Sequence, residues 1–274
     1  MAMTLAAGQA ATADRFMTTE GIVCTRKPIG ICVINLARSA DRREKMSSML
    51  ARHGLEFEFY DGVDGALLSP HEISSVYEAS AAFDRLGREM HPNEMACSWS
   101  HIKIYEMLVK RGPDEVLILE DDIDLAPEFA DVLACRESWL PPNWRVVNFA
   151  YDMARPISVA TLPTPKLDHL SLCRFDALVG RTGAYLLNRE GARSLVKAAY
   201  PIRMPPDDLL GNAEFVGTSV YGIAPRIAMW DDEFHSTIWT DTTREQFAEM
   251  SRGSLHGISR RLRRRSRKLM GQLV

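Results

Sequence analysis

The sequence predicts an α/β fold built on a mostly parallel central sheet. Three observations carry this. A strand, helix, strand succession opens the ordered part of the chain. A second fully apolar strand follows a long helix and ends in a run of acids. Strand and helix patterns then keep alternating towards the C-terminus, as layered α/β domains require.

Ile29–Leu36 (IGICVINL) is short, apolar and rich in β-branched residues, and reads as a buried strand. Ser39–His53 reads as a helix capped by Ser39, with Met46, Met49, Leu50 and His53 at helical spacing and Gly54 as the stop. Phe57–Tyr60 is a second strand, ended by the turn residues Asp61, Gly62, Asp64 and Gly65. Together these form a βαβ unit with a right-handed crossover. Residues 66–90 carry no clear period. A helix is expected from Pro92 to about Arg111, stopped by Gly112, then a buried strand Val116–Glu120. Pro127–Trp139 reads as helix and Arg145–Ala150 as strand. Residues 152–177, with Pro156, Pro163 and Pro165, read as loop with short strands at most. Ala184–Leu187 is a short strand, and Asn188 caps a helix to about Tyr200. The chain beyond Pro201 is rich in loops.

The 274 residues are 46% hydrophobic, 25% charged and 8% aromatic, which excludes disordered, collagen-like and small disulfide-rich classes. Purely apolar runs such as Val116–Leu119 fall far short of the about 20 residues a spanning helix needs. Net charge is −3, unevenly spread: residues 251–274 hold eight Lys and Arg and no acid, leaving 25 basic against 36 acidic residues before them. An acidic body argues against a nucleic-acid partner. The five cysteines are odd in number and show no C-x-x-C spacing, so neither zinc nor a disulfide framework is expected. Cys32 and Cys97 are expected in the core. The first charge, Asp14, precedes Arg15, unlike a signal peptide, and a reducing cytoplasmic location is expected. One domain is expected over residues 28–245, preceded by an unstructured extension (1–27) and followed by a basic tail (246–274).

Ligands of open α/β sheets bind outside the carboxyl ends of the strands. Two acidic clusters fall at such ends: Asp61 with Asp64, and Glu120–Asp124. If extended geometry continues past Glu120, Glu120 and Asp122 share one side. Their hard oxygens then suit magnesium or manganese, with substrate phosphates completing the shell. On the helix from Pro92, Glu94, His101 and Tyr105 lie within about 20° of one line, with Ser98 nearby, while Trp99 and Ile102 pack inward. This polar stripe either faces a site or simply faces solvent. Arg38, Arg42 and Arg43 follow the first strand and are candidates for phosphate contact. No G-x-G-x-x-G, P-loop or G-x-S-x-G is present, which argues against dinucleotide, P-loop and nucleophile-elbow chemistry.

Five segments in order, V-I-N-L-A-R-S-A-D-R-R (33–43), F-Y-D-G-V-D-G (59–65), N-E-M-A-C-S-W-S-H-I-K-I-Y (93–105), V-L-I-L-E-D-D-I (116–123) and G-A-Y-L-L-N-R-E-G-A (183–192), resemble glycosyltransferase family 25 over roughly residues 30–240. The resemblance implies a GT-A type nucleotide-diphosphosugar transferase fold. It implies an inverting transfer of galactose or glucose from a UDP-sugar to a glycan or lipid-linked acceptor, in lipopolysaccharide or surface-glycan assembly. It also implies Mn2+ or Mg2+ at Asp122 with Glu120 in the metal site, Glu120 or Asp121 contacting ribose or metal-bound water, and the pair Asp122/Asp124 as an alternative ligand set. Asp207 is implied as general base, with Asp208 as competitor, and the alternative for Asp207 is a helix-capping role. Asn35 and Asp61 are implied near the uridine, Glu94, Ser100 and His101 at the donor sugar, and His235 as a late metal or phosphate ligand. Two other readings stay open: a metal-dependent nucleotidyltransferase, and a catalytically silent nucleotide- or glycan-binding homologue. Residues 260–274 carry seven basic residues with Leu262, Leu269, Met270, Leu273 and Val274 among and after them, a basic helix with a partial apolar face if helical, and either hold the protein peripherally at the anionic inner leaflet of the cytoplasmic membrane or serve as a solubilising tail.

Overall fold

The computed structural model describes residues 14–17, 23–26 and 29–231. The strands are β1 (Asp14–Met17), β2 (Val23–Arg26), β3 (Gly30–Asn35), β4 (Glu58–Asp61), β5 (Glu115–Glu120), β6 (Ile123–Leu125), β7 (Val146–Asn148), β8 (Pro156–Thr161), β9 (Ser171–Phe175), β10 (Ala184–Asn188), β11 (Tyr221–Ala224) and β12 (Ala228–Trp230). The helices are α1 (Ala40–Arg52), α2 (Pro70–Val76), α3 (Ala79–Leu86), α4 (Pro92–Lys110), α5 (Phe129–Ala134), α6 (Arg189–Ala199), α7 (Pro206–Leu210) and α8 (Ala213–Val216).

Eight strands form one mixed sheet in the order β4-β3-β5-β10-β7-β11-β9-β8. β3 pairs in parallel with β4 and β5, and β11 in parallel with β7. β10 is antiparallel to both its neighbours, and β9 is antiparallel to β11 and β8. The fold is therefore α/β, but its centre is not parallel. The four apolar residues of β10 are buried on both faces, and an all-apolar strand carries no sign of its direction.

The βαβ unit forms as its sequence requires. Met46, Met49 and Leu50 of α1 join Ile31, Val33, Leu117, Leu119 and Leu186 in one core cluster. Alternation along the strands turns Tyr185 to the opposite face, where its hydroxyl meets Tyr105 of α4. Gly54 stops α1 at φ +64, a region glycine adopts without strain. Asn188 caps α6 through its side chain, accepting from the Gly191 N–H at 2.8 Å.

Several expectations change. Part of the expected extension is a hairpin, β1 antiparallel to β2. Residues 66–90 hold α2 and α3; α2 is set by a capping box in which Ser69 and Glu72 exchange hydrogen bonds. Only Phe129–Ala134 of the expected 127–139 helix is α-helical, and a 3-10 turn at Arg136–Ser138 continues it. The proline-rich 152–177 stretch contributes β8 and β9, the prolines sitting on and beyond the sheet edge where no ladder donor is needed. Cys32 is in the core as expected, but Cys97 is only half-buried. Cys135 is disulfide-bonded, which the cysteine spacing does not foretell.

The described residues divide into two compact units, one drawn from those up to 62, from 100–198 and from 206 onward, the other from 63–99 and 199–205. The sheet belongs to the first. In the second, Tyr77 bridges Ile202, the Tyr77 hydroxyl accepts from the Met90 N–H at 3.0 Å, and the Ser98 hydroxyl donates to the Met204 carbonyl at 3.0 Å.

Arg136 is fully buried beneath β5. Its Nε donates to Glu115 Oε1 at 2.7 Å and its Nη1 to the Leu133 carbonyl at 3.1 Å. Removing one member of such a pair strands the other charge. Arg136→Met is expected to lower unfolding stability by about 3 kcal/mol, read as a fall in the urea midpoint at unchanged slope.

Candidate active site

The parallel strands β3, β5 and β7 end in polar residues: Asn35, Glu120 and Asn148. Because β10 runs the other way, the loop leading into it (179–183) arrives at these same ends. Each of its residues is tied down. Val179 N–H donates to the Gly211 carbonyl at 3.2 Å, and Gly180 exchanges backbone hydrogen bonds with Asp152. The Arg181 N–H points at Asp207 Oδ2 at 3.5 Å, and the Arg181 carbonyl accepts from the buried Asn148 amide at 2.8 Å. The Thr182 hydroxyl donates to Glu120 Oε1 at 2.5 Å, and the Gly183 carbonyl accepts the Glu120 N–H at 2.8 Å. Two glycines permit the approach: a Cβ on Gly183 would meet Ile123 Cδ1 at 2.4 Å, and one on Gly211 would meet the Val179 carbonyl at 1.8 Å.

Glu120 is held by a buried relay. His101, 1% exposed, faces Glu120 Oε1 through Nε2 at 3.3 Å and Tyr185 Oη through Nδ1 at 2.7 Å; Tyr185 Oη meets Tyr105 Oη at 3.0 Å. Burial pushes the Glu120 carboxyl up. The His101 hydrogen bond and charge, the Thr182 hydroxyl and the Arg181 charge outweigh it and leave Glu120 below its ordinary value.

Asp121 and Asp122 occupy a two-residue turn between β5 and β6, so the extended geometry expected past Glu120 stops there. Asp121 is an anchor: its Oδ1 accepts from Arg42 Nη1 at 2.7 Å and its Oδ2 from Asn35 Nδ2 at 2.7 Å. Asp122 differs. Its Oδ2 lies 3.6 Å from Arg42, while its Oδ1 is buried with no hydrogen-bond partner among the described residues. Burial, then the charges of Glu120 and Asp121, push its carboxyl up to about 7, against the pull of Arg42. An orphaned acid oxygen among like charges is what a divalent cation would satisfy, so Glu120 and Asp122 fit the hard-cation role. Asp124 lies in β6, paired with Met229 of β12, and among the described residues no hydrogen bond or ion pair joins it to a second acid.

Asp207 opens α7. It accepts from the Asp208 N–H at 3.0 Å as well as facing Arg181 N–H. Burial, then the Asp208 charge, raise its carboxyl to about 6, against those two N–H groups. Asp208 is buried. Asp61 is exposed and paired with Arg43 at 2.8 Å; Arg43 also donates to Asn35 Oδ1 and stacks 4.5 Å from the Phe59 ring centroid. Arg42 and Arg43 are thus committed to acids rather than presented to a phosphate, and Arg38 is exposed. Ser100 is buried beside His101 on α4. The expected polar stripe is a buried one: Glu94, Ser98, His101 and Tyr105 are all inaccessible. In the second unit, Glu94 is gripped by both Arg88 terminal nitrogens at 2.7 and 2.8 Å and by the His91 N–H, a structural clasp. His235 and the basic tail lie outside the described residues.

Sequence reasoning missed Arg181, Thr182, Asn148 and Tyr185. The signal was the short G-R-T-G run before an apolar strand. It becomes informative only once β10 is known to run against β5.

Over residues 29–210 the chain matches the family described as glycosyltransferase family 25 (LPS biosynthesis protein). It is 31% identical over 195 residues to a bovine protein named probable inactive glycosyltransferase 25 family member 3, covering 66% of this chain and 31% of that one. It is 30% identical over 204 residues to the lacto-N-neotetraose biosynthesis glycosyltransferase LgtB of Neisseria meningitidis serogroup B, covering 67% of each. A glycosyltransferase 25 family member of Aedes aegypti is 37% identical over 102 residues, covering 36% of this chain and 17% of that one. The chain thus spans only 17% and 31% of the length of the mosquito and bovine relatives. Among solved structures, the inositol-1-phosphate CTP transferase of T. maritima is similar at a TM-score of 0.39 and 11% identity, covering 84% of this chain and 99% of that one. The apo-form glycosyltransferase GlyE of Streptococcus pneumoniae is similar at 0.34 and 12%, covering 71% and 45%. Matched by the family's own pattern over more than half of its length, and carrying the carboxylate cluster at the end of β5, the chain belongs to glycosyltransferase family 25.

Proposed function

We propose that this chain is an inverting hexosyltransferase that moves galactose or glucose from a UDP-sugar to a glycan acceptor in lipopolysaccharide-type assembly. The observation that carries this is the orphaned Asp122 oxygen beside an ionised Glu120 at the carboxyl end of β5. A nucleotide leaving group gathers negative charge as the glycosidic bond breaks, and a divalent cation at Glu120 and Asp122 would stabilise that charge. The chain's own residues prepare the place. Thr182 and His101 hold Glu120 ionised and oriented, while Arg42 and Asn35 lock Asp121 so that the turn presents Asp122. On the acceptor side, Asp207 is the general base that takes the hydroxyl proton. Its raised affinity for that proton suits the task better than an ordinary carboxylate would. Asn35, which closes on Asp121, is assigned to the nucleotide end of the donor, and Ser100 and His101 to support of the sugar end.

A second reading has one observation in its favour: the bovine relative is named probable inactive. On that reading the same cluster binds a nucleotide sugar without transferring it.

Release of UDP from a panel of UDP-sugars in the presence of Mn2+ separates the two. Turnover of one donor, lowered by about 10²–10³ in kcat in Asp122→Asn, is the expected result. UDP binding without release from any donor, with acceptor glycans supplied, supports the silent homologue instead.

Asp207 predicts a pH dependence with a definite sign. The base works only when unprotonated, so kcat/KM rises with pH through about 6 and falls below it. Asp207→Asn is expected to cost about 10²–10⁴ in rate and to abolish that limb; an unchanged limb in the variant transfers the role to another group.

The tail from 246 to 274 is assigned to an anionic membrane surface, near which each basic residue is worth about 1 kcal/mol. Among the described residues no helix is long and apolar enough to cross a membrane. Co-sedimentation with anionic vesicles should fall sharply when residues 258–274 are removed, and equal binding with and without them refutes the assignment.

A further inference from the structure

An acidic site that receives a nucleoside diphosphate needs cationic groups of its own besides any metal ion. The described arginines nearest the strand ends are mostly spent. Arg42 lies against Asp121 and Asp122, and Arg43 against Asp61 and Asn35. Lys45 is paired with Asp231. Arg181 is different. Its guanidinium lies over the Trp230 ring, 4.7 Å from Cζ to centroid, with Asp152 at 3.9 Å from Nε. Its side chain is 52% exposed.

The backbone at Arg181 has been shaped to put it there. Its φ is +76, a conformation that non-glycine residues rarely adopt and that is strained. The conformation is held from both sides, by the Asn148 amide on the carbonyl and by the Asp207 carboxylate facing the N–H. Glycines flank the pair at positions 180 and 183, yet glycine, which would relieve the strain, is not used at 181. A guanidinium lying against an indole keeps its edge donors directed outward, the geometry that takes two phosphate oxygens at once.

We infer that Arg181 is the diphosphate-binding cation of this site, set on the Trp230 ring to grip the two phosphates of a nucleoside diphosphate donor. The inference rests on the transferase reading but concerns a residue outside its metal and base assignments. Its ligand class is the nucleoside diphosphate moiety itself, whichever sugar is attached. Arg181 also adds positive charge near Glu120, so the same side chain that binds the donor helps to keep the acid beside it ionised.

Calorimetric titration of UDP and of uridine, in EDTA so that no metal contributes, tests this on the full chain. Wild type should bind UDP at least tenfold more tightly than uridine. Arg181→Gly should lose that preference while its Tm stays level or rises, because glycine accepts the positive φ. Arg181→Met should lose it too, which covers the case in which the glycine variant fails to fold, and Arg181→Lys should keep part of it. A preference for UDP retained in Arg181→Gly or Arg181→Met overturns the inference and leaves the donor reading standing. A wild type that binds UDP no better than uridine without metal also overturns it. A wild type that binds neither ligand, with or without Mn2+, removes the donor reading and the inference together.

Discussion

The hydrogen bonds that pin residues 179–183 are the constraint on which the rest of the site depends. Glu120 and Asn148 sit at the ends of parallel strands, and Asp207 sits on a short helix distant in sequence. They meet because one loop touches all three. Arg181 bonds Asn148 through its carbonyl and faces Asp207 through its N–H, and Thr182 reaches Glu120. A backbone held this tightly keeps the carboxylates in one arrangement, so little reorganisation is needed as charge develops. The constraint also has a cost, stored as the positive φ of Arg181.

Two acids of one tripeptide end in opposite roles, and their neighbours decide which is which. Asp121 has an arginine and an amide on its two oxygens and is fully occupied. Asp122, one residue on, keeps a buried oxygen with no partner among the described residues. Burial, and then the like charges packed around it, raise the proton affinity of this half-satisfied acid, and a cation would oppose both. The tyrosine-backed His101 acts on Glu120 from the other face of the sheet: it favours the charged form of a carboxylate that burial disfavours.

Much of this was legible in the residues. Met46, Met49 and Leu50 gave α1 its buried face, Gly54 its end, and Asn188 the start of α6. The V-L-I-L-E-D-D-I segment marked both a buried strand and the acids at its end. The candidates that moved did so for a common reason. Glu94 became a structural partner of Arg88, and Arg42 and Arg43 became partners of acids, because a charged side chain in or near a core takes the nearest opposite charge. The sequence names the charges but not which pairs will lie within reach.

By itself the sequence determined most of the local elements and the position of the acid cluster at a strand end. These follow from side-chain period, capping residues and turn chemistry, all of which act between near neighbours in the chain. Tertiary structure alone decided the direction of β10, and with it the arrival of Arg181 and Thr182 at Glu120 and Asp207. A strand apolar on both faces packs equally well in either direction as far as its own residues are concerned. Its direction is set by the hydrogen-bond ladders of β5 and β7 on either side, which belong to distant parts of the chain.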